Sequence, residues 1–164
     1  MKNKTNAMRR LDAAKIAYEV MEYEVDENDL SGKHIADEIG LPHEIVFKTL
    51  VAKGDKTGFV VFCIPVDEEI DLKLAAKQTG NKRIEMLAVK ELLPTTGYIR
   101  GGCSPVGMKK KFPTYFDESA ARLDELTVSA GVRGAQLLLN AKEIIAFTQG
   151  ALVAVTIIPS VRER

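Results

Sequence analysis

Two apolar runs separated by a short polar turn constrain this chain more than any other feature. Val46 to Ala52 (Val-Phe-Lys-Thr-Leu-Val-Ala) and Phe59 to Pro65 are rich in β-branched and aromatic residues, which favour strands. Gly54 to Gly58 between them carries the turn chemistry of a hairpin. A central antiparallel pair is therefore expected, and the other elements must cover it.

The flanking segments supply helices and further strands. Met8, Leu11, Ala14 and Ile16 or Ala17 fall at helical spacing over Ala7 to Ala17, after a polar Met1 to Asn6 expected to be loose. Val20 to Val25 alternates as a strand and carries Tyr23. Ser31 can cap a helix running to Ile39, with Gly40 as its terminating glycine, and Pro42 suits the first position of another short turn. Asp71 can cap Leu72 to Thr79, which Gly80 closes. Short strands are expected at Lys82 to Met86, Phe112 to Phe116, Leu126 to Ser129 and Ala135 to Leu139, with a short helix from Val89 to Leu93 ending before Pro94. Asn140 caps a helix over Ala141 to Thr148, stopped by Gly150, and Ala151 to Ile157 reads as an interior strand. Strands outnumber helices and the hairpins suggest antiparallel pairing, so the expected class is mixed α+β. With 164 residues, one domain spanning 1–164 is expected.

Composition narrows the function. The chain is 46% hydrophobic and 28% charged, enough to bury a core. Lys+Arg and Asp+Glu are both 23, so any nucleic-acid contact must come from a local patch rather than a global basic field. No long apolar run and no signal-peptide pattern is present, and Cys63 and Cys103 do not make a disulfide framework, so a reduced, cytoplasmic protein with no membrane partner is expected. Two histidines without a Cys/His cluster argue against a metal site. His34 and His43 read as surface residues, and Cys63 as core.

The candidate active site is the stretch Thr95 to Gly107, where four glycines and a proline present backbone N–H and C=O groups rather than side chains. Lys109, Lys110 and Lys111 follow it and suggest a cationic rim. Gly102 and Gly107 have the outer spacing of a phosphate-binding P-loop, but Met108 stands where the lysine is needed. Ser104 is not in a nucleophile elbow, because Val106 replaces the second glycine. Cys103 has no assignable base and reads as a small filler rather than a nucleophile. Lys48 breaks an apolar strand. It is either an edge lysine whose ammonium reaches water, or a cation aimed into the glycine-loop pocket.

Six pieces occur in order: Lys48-Thr49-Leu50, Asp71-Leu72-Lys73, Lys82-Arg83-Ile84-Glu85-Met86, Thr96-Gly97-Tyr98-Ile99, Gly101-Gly102-x-Ser104-Pro105-x-Gly107, and Ser129-Ala130-Gly131-x-Arg133-Gly134. The ordered set resembles the YbaK/EbsC group of aminoacyl-tRNA deacylases, relatives of the editing domain of bacterial prolyl-tRNA synthetase, from about Ala7 to about Ile157. The resemblance implies a barrel-like mixed sheet flanked by helices. It also implies release of mischarged amino acids, chiefly cysteine from proline tRNA and also from cysteine tRNA, with prolyl-tRNA synthetase as a delivering partner and no metal or organic cofactor. Lys48 then holds the tRNA 3′ end or polarises the ester, and Gly101 and Gly102 supply backbone groups to the aminoacyl moiety. The resemblance further implies that Tyr23, Thr49, Ser104, Ser129 and Gly131 line the substrate pocket. The chemistry implied by the resemblance, attack of the substrate's own thiol on its ester, would account for the missing nucleophile. Two positions depart from the family's pattern: Gln136, where many relatives are acidic, and Cys103, where many are aliphatic. A deacylase for alanine, or a binding protein on the same fold, are the alternatives.

Overall fold

The computed structural model describes residues 3–157. The chain runs α1 (Asn6–Ala13), β1 (Tyr18–Glu22), α2 (Gly32–Ile39), a 3-10 turn (His43–Ile45), β2 (Phe47–Gly54), β3 (Gly58–Pro65) and β4 (Glu69–Ile70). It continues through α3 (Leu72–Thr79), β5 (Ile84–Met86), α4 (Val89–Thr96), β6 (Thr114–Asp117) and a 3-10 turn (Glu118–Arg122). Last come β7 (Glu125–Ser129), β8 (Ala135–Asn140), α5 (Ala141–Phe147), β9 (Ala151–Val153) and β10 (Thr156–Ile157). The architecture is mixed α+β.

The hairpin forms as its sequence requires. β2 and β3 pair antiparallel from Phe47↔Pro65 to Gly54↔Gly58. Asn81 pins the turn: its side-chain oxygen accepts from Lys56 N at 2.9 Å and Thr57 N at 3.0 Å. A Cβ at Gly54 would lie 2.4 Å from the Asn81 side chain, so only glycine fits there. The hairpin is the middle of a five-stranded sheet ordered β5-β2-β3-β6-β9, and β1-β8-β7 form a second sheet. A parallel bridge between Val46 and Thr127 joins them at one corner. Among the described residues the sheets do not close into a barrel. Phe47, Phe116, Leu126, Leu137 and Ile144 are buried between them, with Leu11 of α1.

The local signals are met where capping chemistry is strong. Ser31 Oγ accepts from His34 N at 3.3 Å and opens α2; Gly40, at φ 71°, ends it. The Asp71 carboxylate accepts from Lys73 N and Leu74 N, both at 3.1 Å, and α3 ends at Gly80. Asn140 caps α5 through Glu143 N at 2.9 Å.

Other expectations are corrected. Thr5 and Asn6 are not loose: Thr5 Oγ1 accepts from Met8 N and starts α1, while Met1 and Lys2 lie outside the described residues. α1 stops at Ala13 rather than Ala17, because Lys15 turns left-handed at φ 61° and redirects the chain into β1. β1 ends at Glu22, since its partner β8 begins at Ala135 and leaves only a turn beside Tyr23. Pro94 lies inside α4 rather than after it. It removes one donor, but Gly97 N still donates to Leu93 O at 2.9 Å. Two pairs, β3 with β6 and β6 with β9, are parallel rather than antiparallel. Ala151 to Ile157 is not one interior strand. β9 is an edge strand with Ala151 and Leu152 exposed, and β10 leaves to pair with β4.

His43 binds two carboxylates at once. Its Nδ1 lies 2.7 Å from Asp67 Oδ1 and its Nε2 2.7 Å from Asp37 Oδ1. Only the doubly protonated ring donates to both. The Asp67 bond, then the Asp37 bond, raise the His43 pKa above 6.5. This contribution is full below the unfolded value of 6.5 and is lost as pH rises through the higher folded value. The difference in Tm between the wild type and His43→Gln should therefore be largest near pH 6 and vanish towards pH 9. A pH-independent difference would show that the clamp does not titrate.

Candidate active site

Lys48 sits near the start of β2, opposite Ile64, with its side chain half-buried. It lies over a cavity of about 420 Å³, within the range of small-molecule sites. Leu30, Ile35, Val51, Leu87 and Leu92 make most of this cavity apolar. Among the described residues the Lys48 ammonium donates one long bond, 3.4 Å, to the Val66 carbonyl. Burial pulls its pKa below the ordinary lysine value. The carboxylates of Glu69, Asp67 and Glu68 oppose that shift, while Lys33 adds to it. The cation is thus poorly solvated and loosely held, a state that favours an incoming anionic or strongly polar oxygen.

The glycine loop forms the wall beside this cation. Gly101, at φ 86°, and Arg100 line the cavity, as does the buried Cys103. Arg133 Nε donates to Arg100 O at 2.8 Å and ties the loop to the turn after β7. Burial raises the Cys103 thiol to about 12, so it is protonated at neutral pH and unsuited to attack. Cys63 is core as expected, and its Sγ lies 3.9 Å from Thr49 Oγ1.

The residues singled out from sequence divide into two groups. Lys48, Thr49, Gly101 and Ser129 all line the cavity. Gly102, Ser104, Gly131 and Tyr23 do not. Gly102 is buried against the Val132–Arg133 backbone. Ser104 is fully buried and accepts from Val106 N at 3.2 Å, within its own loop. Gly131 has φ 98° under the Tyr98 ring, and its N–H is held by Ser129 Oγ at 3.1 Å. Tyr23 lies one residue past β1, on a small depression with Gly101 and Arg133. The cationic rim is also displaced. Lys109 to Lys111 line a separate cleft, while Lys33 and Arg100 border the cavity itself.

Gln136, one of the two departures from the family's pattern, is part of the cavity wall. It is buried there, and its side-chain oxygen accepts from Thr127 Oγ1 at 3.1 Å. Met86, Val89 and Leu92 complete the apolar wall, and their ordinary spacing carried no signal.

Fold and cavity together define an α+β domain that encloses a lysine in an apolar pocket backed by a glycine loop. The family model described as "Aminoacyl-tRNA editing domain" matches residues 31–147. The chain belongs to that family, as the ordered motifs implied. A protein of Enterococcus faecalis, assigned by name as the Cys-tRNA(Pro)/Cys-tRNA(Cys) deacylase EbsC, is 48% identical over 153 residues, 93% of each chain. A crystal structure titled as a trans-editing enzyme for prolyl-tRNA synthetase shares the fold at TM-score 0.81 and 24% identity, covering 95% of this chain and 99% of its own. The hypothetical protein APE2540 does so at TM-score 0.84 and 17% identity, covering 93% and 100%. No helix among the described residues is long and apolar enough to cross a membrane.

Proposed function

We propose that this protein is a cytoplasmic aminoacyl-tRNA deacylase that clears mischarged cysteine, guarding translation fidelity in trans. The observation that carries this reading is Lys48: a half-buried ammonium with one long hydrogen bond, over an apolar cavity walled by the backbone of Gly101. Such a site positions an ester and stabilises developing negative charge without supplying a nucleophile. The cysteine thiol of the substrate attacks its own ester carbonyl. The new S–C bond forms as the C–O bond to the ribose breaks. The thiol proton passes to the ribose oxygen, giving a cyclic thiolactone and free tRNA. Lys48 holds the 3′ end or the oxyanion, Gly101 offers backbone groups, and Thr49, Ser129 and Gln136 face the aminoacyl group. Gly102, Ser104 and Gly131 hold the loop and its supporting turn in shape, and Tyr23 supports the wall from outside. Delivery by prolyl-tRNA synthetase belongs to the same reading. It is supported by a global charge balance of zero, which leaves only a local patch to attract tRNA.

The test is deacylation of cysteinyl- and alanyl-tRNA, both on the proline tRNA. Rapid release of cysteine with slow release of alanine is the expected outcome. Faster release of alanine would keep a deacylase but remove thiol cyclisation. No release of either would leave a binding protein on this fold.

A further inference from the structure

The loop that walls the active-site cavity also walls a second cleft. Gly101 and Cys103 line the first, and the chain from Pro105 to Phe112 lines the other, a space of about 290 Å³. Only Ser104 separates Cys103 from Pro105 along the chain, a span of about 7 Å at most. Arg10 of α1 and Lys109, Lys110 and Lys111 of the loop surround this cleft, over a floor that includes Phe112 and Phe147. No carboxylate among the described residues lines it. Among the described residues none of the four cations makes an ion pair; Lys111 donates instead to the side-chain oxygen of Gln149. All four are exposed.

In a chain of zero net charge, four unpaired cations in one concave site need an explanation. Low-dielectric walls and converging positive groups focus potential on anions spaced along a chain. A single small anion would leave most of the cations unused, whereas successive phosphodiesters would engage them together. We infer that this cleft binds the phosphodiester backbone of an RNA whose 3′ end occupies the neighbouring cavity. The inference rests on the deacylase reading for the identity of that RNA. The shared loop favours RNA over an acidic protein, because a polymer threaded into the first cavity crosses the loop directly into the second. Affinity here is independent of base sequence, since phosphates position an RNA without specifying it.

The test is binding of uncharged proline tRNA to the full-length protein, by fluorescence anisotropy, over a series of salt concentrations. Changing Arg10, Lys109, Lys110 and Lys111 together to Gln should flatten the slope of log Kd against log salt by about 3, at roughly 0.7 per phosphate contact. Between 50 and 200 mM salt the wild type should then lose about fifty-fold more affinity than the variant. Changing Lys56, Lys73 and Lys77 to Gln, three exposed lysines elsewhere, should leave the slope unchanged. An unaltered slope in the four-site variant, or an equal fall in the control, would overturn the inference. Neither measurement requires turnover. A flattened slope with no ester release would therefore keep the cleft and sink the deacylase reading. Normal release with an unaltered slope would do the reverse.

Discussion

Lys48→Met should lower cysteine release by about 10²- to 10³-fold, the usual loss when one preorganised oxyanion donor is removed. Methionine keeps most of the volume and deletes the charge, so the cavity stays filled. The protein should fold as well as the wild type or slightly better. A half-buried ammonium with one 3.4 Å bond pays more in desolvation than it regains from its partner. Loss of activity with an unchanged or higher Tm separates a functional lysine from a structural one. Equal release by the two proteins would remove Lys48 from the reaction. Lys48→Arg should not restore full activity, because a planar guanidinium cannot place its charge where a compact ammonium sits.

Gly102→Val should damage both fold and function. A Cβ at Gly102 would lie 3.1 Å from the Val132 carbonyl carbon and 3.2 Å from the Arg133 nitrogen. Both are backbone atoms and cannot swing aside as a side chain would. The glycine loop must therefore move away from the Gly131–Gly134 turn, and the Arg133 bond to Arg100 O moves with it. Overpacking of this kind costs about 1–3 kcal/mol, a fall in Tm of about 2–12 °C for a chain of this size. Release should drop more than tenfold, since a 1 Å displacement of positioning groups can cost about 10². Thermal melts and single-turnover release, measured on the same sample, check both effects. An unchanged Tm would mean that the loop and turn are not in contact as described.

What the sequence made legible was local. Ser31, Asp71 and Asn140 declare their helices because each side chain satisfies N–H groups two or three residues away. The hairpin is legible for the same reason, its register being set by a turn of a few residues. The parallel pairs through β6 were hidden because long crossovers create them, and nothing in Thr114 to Asp117 records which strand it will meet. The split of the last apolar run follows from where β4 lies, which is again non-local. In the site, Lys48 stood out because a lysine in an apolar strand is chemically unusual. Ser104 and Gly131 shared motifs with the pocket residues, yet they serve the backbone of the pocket rather than its interior. The ordered motifs showed which segments build the site, but not which of their side chains face inward.

The cavity draws its walls from α2, β2, α4, the glycine loop, β7 and β8. No single helix or strand contains even half of it. The ammonium of Lys48 and the amide of Gln136 become neighbours of one space only when the two sheets have docked, and contacts between such distant segments are slow to form. A partly folded chain therefore offers no weakened version of the site that could strip correctly charged tRNA. In the proposed reading, ester cleavage therefore depends on the finished core and is lost when the core opens.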